Sequence, residues 1–230
     1  MSPVLEAIAG GLVVSCQAPH GHPLRSPAVI ARLAECAALG GAAAVRVNDP
    51  DDVRAVKDAV GLPVIALHKV RAADRDLITP RWDLAAALAA AGADVIAVEA
   101  TGRGDVPVAS FVARIQAELG LPVMADVATF EQGAAAWSAG AELVASTLSG
   151  YTADSPQQTE PDLDLVAALA AVGIRTVAEG RLGTPDHVRT AFASGAYAVV
   201  VGTAITDPVA LTRGLAAATP RSASALGRPR

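Results

Sequence analysis

The sequence predicts an α/β chain closed into a (β/α)8 TIM barrel as a single domain. Three observations carry that expectation. Eight short apolar, β-branched runs alternate with eight Ala-rich helical stretches at a period of roughly 26 residues, and strict βα alternation demands a parallel sheet with right-handed crossovers. A small-residue stop recurs ahead of the strands, at Leu39-Gly40, Ala91-Gly92, Ala139-Gly140, Val172-Gly173 and Ser194-Gly195. The length of 230 residues fits one barrel, and eight units favour closure over an open doubly wound sheet.

The elements follow in order. Pro3–Ile8 is expected as a short helix plugging the bottom of the barrel. The apolar runs Gly11–Gln17, Ala43–Val47, Pro63–Lys69 and Val95–Ala100 are read as the first four strands, and Pro122–Val127, Leu143–Leu148, Arg175–Gly180 and Ala198–Gly202 as the last four. Helices are expected at Pro27–Leu39, Pro50–Val60, Arg81–Ala91, Pro107–Leu119, Thr129–Ala139, Pro161–Val172, Thr184–Ser194 and Asp207–Ala218. Several open on Pro or on a Ser, Thr or Asp cap, as at Thr184-Pro185-Asp186, and most end at Gly. The barrel domain spans 1–218, and the Pro/Ser/Arg-rich stretch 219–230 is expected as a disordered tail. The longer connections follow strands 1, 3, 4 and 6, on the face where a barrel carries its active site.

Composition narrows the function. Hydrophobic residues make up 52% and aromatics 3%, so the core is built from Ala, Val, Leu and Ile, which suits strands buried on both faces. The net charge of −5, without a Lys/Arg cluster, leaves no face for nucleic acid. Mean hydropathy is positive at +0.41, yet Asp94, Glu99, Asp126, Glu142 and Glu179 interrupt the apolar stretches, so none reaches a membrane span of about 20 residues. The N-terminus lacks a basic segment followed by a long apolar one, and two cysteines are too few for a disulfide framework. A soluble cytoplasmic domain is expected.

Polar residues at the carboxyl ends of barrel strands point to catalysis, because the interior below them should be filled by branched apolar side chains. Every strand supplies one: Ser15 and Gln17, Arg46, Lys69, Glu99, Asp126, Ser146 and Thr147, Glu179 with Arg181, and Gly202 with Thr203. Charges placed there must pair with one another or with a ligand. The plainer alternative is that Arg46–Asp126 or Lys69–Glu179 are salt bridges closing the barrel mouth. Val177-Ala178-Glu179-Gly180 and Val200-Val201-Gly202-Thr203 are successive apolar runs ending in glycine, a pattern that builds a phosphate cup from main-chain N–H groups. Gly180, Gly202 and Thr203 are therefore expected to bind phosphate. Lys69 is the sharpest candidate: a desolvated lysine can serve as a general base or as a Schiff-base nucleophile, and Glu179 would take the complementary acid/base part. His20, His22, His68 and His187 are read as loop, outward-facing or helix residues, Cys16 as core, and no side chains have metal-ligand spacing, so no metal is expected.

With these residues collected, the chain resembles the N-acylglucosamine-6-phosphate 2-epimerases, also called N-acetylmannosamine-6-phosphate 2-epimerases. The matching blocks run in order through nearly the whole chain: Gly11–Gln17, Ala44-Val45-Arg46, Ile78-Thr79-Pro80, Met124-Ala125-Asp126, Ser149–Thr152, Ala178–Arg181 and Val201–Thr206. The resemblance implies a cofactor-free bacterial barrel enzyme that interconverts N-acetylmannosamine 6-phosphate and N-acetylglucosamine 6-phosphate in sialic-acid and amino-sugar catabolism. It implies Lys69 and Glu179 as the catalytic pair, Arg46 and Asp126 around the sugar and the lysine, and Gln17 as a further contact. Glu99, Ser146, Thr147 and Arg181 join them as expected substrate-binding residues. The family commonly carries Arg where this chain has Asp207, and Asp where it has Glu99. Two other readings stay open: a Schiff-base aldolase using Lys69, and a phosphate-binding barrel without epimerase activity. Ala-rich outer helices also allow a homodimer.

Overall fold

The computed structural model describes residues 2–220. In chain order its strands are β1 (Leu12–Cys16), β2 (Ala44–Asn48), β3 (Val64–Leu67), β4 (Lys69–Arg71), β5 (Asp76–Ile78), β6 (Val95–Glu99), β7 (Val123–Asp126), β8 (Leu143–Ala145), β9 (Thr176–Glu179) and β10 (Ala198–Val201). All but β4 and β5 close into one parallel ring in the order β1-β2-β3-β6-β7-β8-β9-β10, which returns to β1. The helices are α1 (Pro3–Ile8), α2 (Pro27–Leu39), α3 (Pro50–Ala59), α4 (Trp82–Ala90), α5 (Val108–Leu119), α6 (Phe130–Ser138), α7 (Leu163–Ala171), α8 (Pro185–Ala193), α9 (Thr203–Thr206) and α10 (Pro208–Ala217). The segment expected as a tail lies, from residue 221 on, outside the described residues.

The period-2 alternation of a strand sorts the side chains into two layers. Val13, Ala44, Ile65, Val95, Ala97, Met124, Val177 and Val200 fill the interior of the ring, while Val14, Val45, Val47, Ala66, Ile96, Val98 and Ala125 face the helices. The same alternation carries the polar strand ends inward: Arg46 follows Ala44 by two, Glu99 follows Ala97, Asp126 follows Met124, and Glu179 follows Val177. At the opposite end, Leu5 and Ile8 of α1 are buried in the interior cluster, and the Tyr197 hydroxyl donates to the Leu5 carbonyl at 2.7 Å. The short helix closes the bottom as expected.

Small residues let the outer helices approach one another. A Cβ on Gly133 of α6 would sit 2.6 Å from Leu169 Cδ2 of α7, so any larger residue there would have to push that leucine aside. Thr129, Asp162, Thr184 and Asp207 each accept from the main-chain N–H three residues on, capping α6, α7, α8 and α10, and such caps contribute about 1 kcal/mol each. Among the described residues no helix is long and apolar enough to cross a membrane.

Two strand ends differ from expectation by more than one residue. The run read as Pro63–Lys69 leaves the barrel at Leu67, and Lys69 opens the antiparallel β4–β5 hairpin. Thr79 makes the diversion: its N–H donates to the His68 carbonyl at 2.8 Å, and its Oγ1 accepts from the His68 N–H at 2.9 Å. The run read as Leu143–Leu148 stops at Ala145 and turns through a 3-10 helix at Ser146–Leu148. There the Ser146 hydroxyl replaces a strand ladder, donating to the Glu179 carbonyl at 3.0 Å and accepting from its N–H at 3.1 Å.

Candidate active site

A cleft of about 1330 Å3 opens at the carboxyl end of the barrel, floored by strand ends and walled by the hairpin and the loops after β1, β8, β9 and β10. At its floor lies Arg46, with only 1% of its side chain exposed. Burying a guanidinium requires partners, and β2 places it among three. It donates to Asp126 Oδ2 at 2.6 Å, to Glu179 through a very short contact, and to Thr147 Oγ1 at 3.2 Å. The Thr147 hydroxyl in turn donates to Asp126 Oδ1. Burial pulls the Arg46 guanidinium down, but Asp126 and Glu179 outweigh it and hold it above its usual range. Burial pushes the Asp126 carboxyl up to about 7, against the pull of Arg46. Of the two salt bridges in the plainer alternative, Arg46–Asp126 is present as one arm of a larger network, and Lys69–Glu179 is not found among the described residues.

Lys69 stands apart from that network. No ion pair or hydrogen bond holds its ammonium among the described residues, although the amine lines the same cleft. Its main chain is fixed, with the N–H donating to Asn48 Oδ1 at 2.8 Å. Enclosure by the cleft walls pulls its ammonium below the usual lysine range, and Arg46 adds to that, while Glu179, Asp76 and Asp126 oppose it. The side chain is nevertheless solvent-accessible in the open cleft.

On the far side, Gly180 takes φ 111°, and no acceptor among the described residues takes the N–H groups of Gly180, Gly202 or Thr203. A Cβ on Gly202 would sit 3.2 Å from Ser15 Cβ, a close approach that favours glycine. Gln17 Nε2 donates to Ser15 Oγ at 2.8 Å, which orients the amide and leaves its buried Oε1 without a partner. Arg46 Nε is likewise buried and unpartnered. Among the described residues the site thus combines an amine in no ion pair with main-chain N–H groups that have no acceptor, above two buried polar atoms without a partner, Gln17 Oε1 and Arg46 Nε.

Residues 30–220 match the family model NanE, described as "Putative N-acetylmannosamine-6-phosphate epimerase". The chain belongs to the NanE family. A Thermosynechococcus vestitus protein carrying the corresponding 2-epimerase name, with the same qualifier, is 46% identical over 202 residues, 86% of this chain and 89% of that one. Another so named, from Caldanaerobacter subterraneus, is 42% identical over 216 residues, 91% of each chain. The solved N-acetylmannosamine-6-phosphate 2-epimerase from Clostridium perfringens superposes with a TM-score of 0.89 at 35% identity, covering 94% of this chain and 96% of that one.

Within this NanE-family barrel the remaining candidates take up distinct places. Gln17, Arg46, Thr147, Glu179, Gly180, Arg181, Gly202 and Thr203 line the cleft with Lys69. Asp126, Glu99 and Ser146 are buried behind the lining. Asp126 is taken by Arg46 and Thr147, Ser146 by the main chain of Glu179, and Glu99 by Arg75, Thr101 and the Ile78 N–H. Arg181 is a strut: Nε donates to the Glu160 carbonyl at 2.7 Å, Nη1 to the Ser149 carbonyl at 2.9 Å, and the guanidinium lies 5.0 Å from the Tyr151 ring centre. Asp207, where the family commonly has Arg, caps α10 by accepting from the Ala210 N–H at 2.9 Å and sits 3.4 Å from His22 Nε2. Asp207 also lines the cleft, beside Gly202 and Thr203. Asn48, Arg75 and Asp76 were not among the sequence candidates. Asn48 could have been found as a polar residue ending an inward-alternating strand, whereas Arg75 sits in a charged stretch with no periodicity to mark it. Among the described residues no three His, Cys, Asp or Glu side chains group as a metal site.

Proposed function

We propose that this chain interconverts N-acetylmannosamine 6-phosphate and N-acetylglucosamine 6-phosphate by moving the proton on C2. The observation that carries the reading is the unpaired Lys69 amine facing the Arg46–Glu179 pair across one cleft, with free main-chain donors beyond. Opening of the sugar ring makes C1 an aldehyde and so acidifies the C2–H bond. Lys69, its pKa lowered, takes that proton, and the bonding electrons pass to O1 as an enolate. The Lys69 ammonium so formed and Arg46 stabilise the oxyanion. A proton then returns to C2 on the other face from Glu179, which enters the step as the neutral acid and leaves it as the carboxylate paired with Arg46, and the enolate collapses to the epimeric aldehyde; exchange with water then carries the proton from Lys69 back to Glu179. Nothing is oxidised or reduced.

The phosphate sits against the N–H groups of Gly180, Gly202 and Thr203, and Gln17 Oε1 accepts from the sugar. Asp126, Thr147 and Ser146 serve by holding Arg46 and the end of β9. We place the reaction in the cytoplasm and in a homodimer, for which exposed Val209, Leu211 and Leu215 on α10 offer an apolar surface.

Heavy water tests the reading. Each sugar phosphate should convert to its epimer with one deuterium at C2, and the unphosphorylated sugars should turn over far more slowly. Absence of exchange at C2 in both epimers would sink the proposal. The same amine would suit a Schiff-base aldolase, so borohydride is the second arm: an adduct trapped on Lys69 would favour carbon–carbon cleavage.

A further inference from the structure

Glu99 ends β6 inside the ring, level with Asp126 of β7, and its side chain has no exposed surface. An ionised carboxylate offers about four lone-pair sites and must fill them when buried. Glu99 fills them all from outside the cleft. Arg75 forks onto it, Nη2 to Oε1 at 2.7 Å and Nη1 to Oε2 at 3.1 Å. The Ile78 N–H donates to Oε2 at 3.2 Å, and the Thr101 hydroxyl donates to Oε1. No oxygen is left open to a molecule in the cleft.

Arg75 and Ile78 both belong to the hairpin that carries Lys69. Arg75 sits in its turn, where its carbonyl accepts from the Ala72 N–H at 3.0 Å and its Nη1 donates to the Asp76 carbonyl at 3.1 Å. Ile78 is the register partner of Lys69 across the β4–β5 pair. A lone two-stranded hairpin is marginal in water, and this one has three paired positions, so contacts with the barrel must hold it down. The first residue is held from β2 by Asn48, and the turn and second strand are held from β6 by Glu99.

We infer that Glu99 and Arg75 form a clamp that holds the β4–β5 hairpin against the barrel and so fixes the Lys69 amine over the cleft. They are positioning residues for the proton transfer rather than contacts of the bound sugar. The kinetic part of the inference rests on the function proposed above. The geometry also explains why Arg and Glu are needed: a lysine at 75 offers a point charge in place of a planar fork, and an aspartate at 99 falls short by one methylene.

The test uses the full chain with Arg75→Met, Glu99→Gln and the double variant. In each single variant, kcat should fall by about tenfold to a hundredfold, the loss that a displacement of the order of 1 Å brings, with KM nearly unchanged. The double variant should be no worse than the poorer single one, because both remove the same clamp. The rising pH limb assigned to Lys69, which is set by the surrounding Arg46, Glu179, Asp76 and Asp126, should move toward the ordinary lysine range as water enters. Without any substrate, amides of residues 69–78 should exchange faster in Arg75→Met while the barrel strands stay protected. Should Glu99→Gln fail to fold, Arg75→Met and Glu99→Asp carry the same readouts. A raised KM in Glu99→Gln with Arg75→Met silent would overturn the inference in favour of a sugar contact. A lowered melting temperature with kcat, the pH limb and hairpin exchange unmoved would reduce the pair to scaffolding. If the wild type moves no deuterium into C2, the proposed function falls, while hydrogen exchange still decides the clamp.

Discussion

The two walls of the cleft are built by opposite means. On one side Arg46, Asp126 and Glu179 project from three barrel strands into one network of paired charges. On the other, Lys69 rides a hairpin that is not part of the barrel sheet, and its amine has no ion pair or hydrogen bond among the described residues. The first wall spends its charges on one another and is as rigid as the strands. The second keeps its charge unspent, as the proposed proton transfer requires, and its hairpin is tied to the barrel through Asn48 and the Glu99–Arg75 pair.

The contrast breaks most sharply at Lys69. Lys69→Met should lower kcat/KM by about 10²–10⁴-fold, the usual share of a general base. Stability should stay within about 0.5 kcal/mol, because the ammonium has no partner among the described residues. Steady-state kinetics and thermal melting check both halves. A variant that keeps its rate, or one that loses much stability, would put Lys69 on the wrong side of the comparison.

Arg46→Met is the reverse experiment. It strands Asp126 and Glu179 as neighbouring carboxylates, one of them fully buried, and removing one partner of such a buried pair costs about 3–5 kcal/mol. Urea unfolding should report that loss alongside the loss of turnover. If the variant unfolds like the wild type, the network is ornament to the fold and its purpose is only to bind.

How far these two walls could be read from the sequence differs for a physical reason. Alternation along a strand is local, so the inward placing of Arg46, Asp126 and Glu179 was legible from their spacing to Ala44, Met124 and Val177. The hairpin was not. Val64–Leu67 continues into His68-Lys69-Val70 without a glycine or proline, and the residue that turns the chain away, Thr79, lies eleven positions on from His68. The expectation that Glu99 meets a sugar has the same origin. A buried carboxylate demands a partner, but alternation cannot say whether that partner is a ligand or an arginine 24 residues upstream. The glycines at the ends of β9 and β10 were legible because glycine at a strand end is itself the signal, and Gly202 approaches Ser15 so closely that a Cβ would lie 3.2 Å from the Ser15 Cβ.

That close approach gives the next prediction. Gly202→Ala would press a methyl against Ser15 Cβ at 3.2 Å and tilt the neighbouring N–H groups. Overpacking of this kind costs about 1–3 kcal/mol. We expect KM for the phosphorylated sugar to rise by about tenfold and kcat to change less, as befits the loss of uniform binding. Equal losses on phosphorylated and unphosphorylated sugars would remove Gly202 from the phosphate site.

The smallest effect is the most direct reading of the second wall's electrostatics. Lys69 must lose its proton to act, so activity should rise with pH through its lowered pKa, on a limb below the ordinary lysine value of about 10.4. Asp76, at the far end of the hairpin ladder, is one of the groups that raise that pKa, because its negative charge favours the ammonium. Asp76→Asn removes the charge and should move the limb to lower pH. The shift should shrink in high salt, since Asp76 is exposed and a screened charge acts weakly at a distance. Arg71, the partner of Asp76 at 3.4 Å, bears the opposite sign, so its release must be measured in Arg71→Gln, where loss of a positive charge should move the limb upward. A limb that moves the same way in both variants would show that the hairpin shifts position rather than charge, and would transfer the explanation from Coulomb interactions to the clamp.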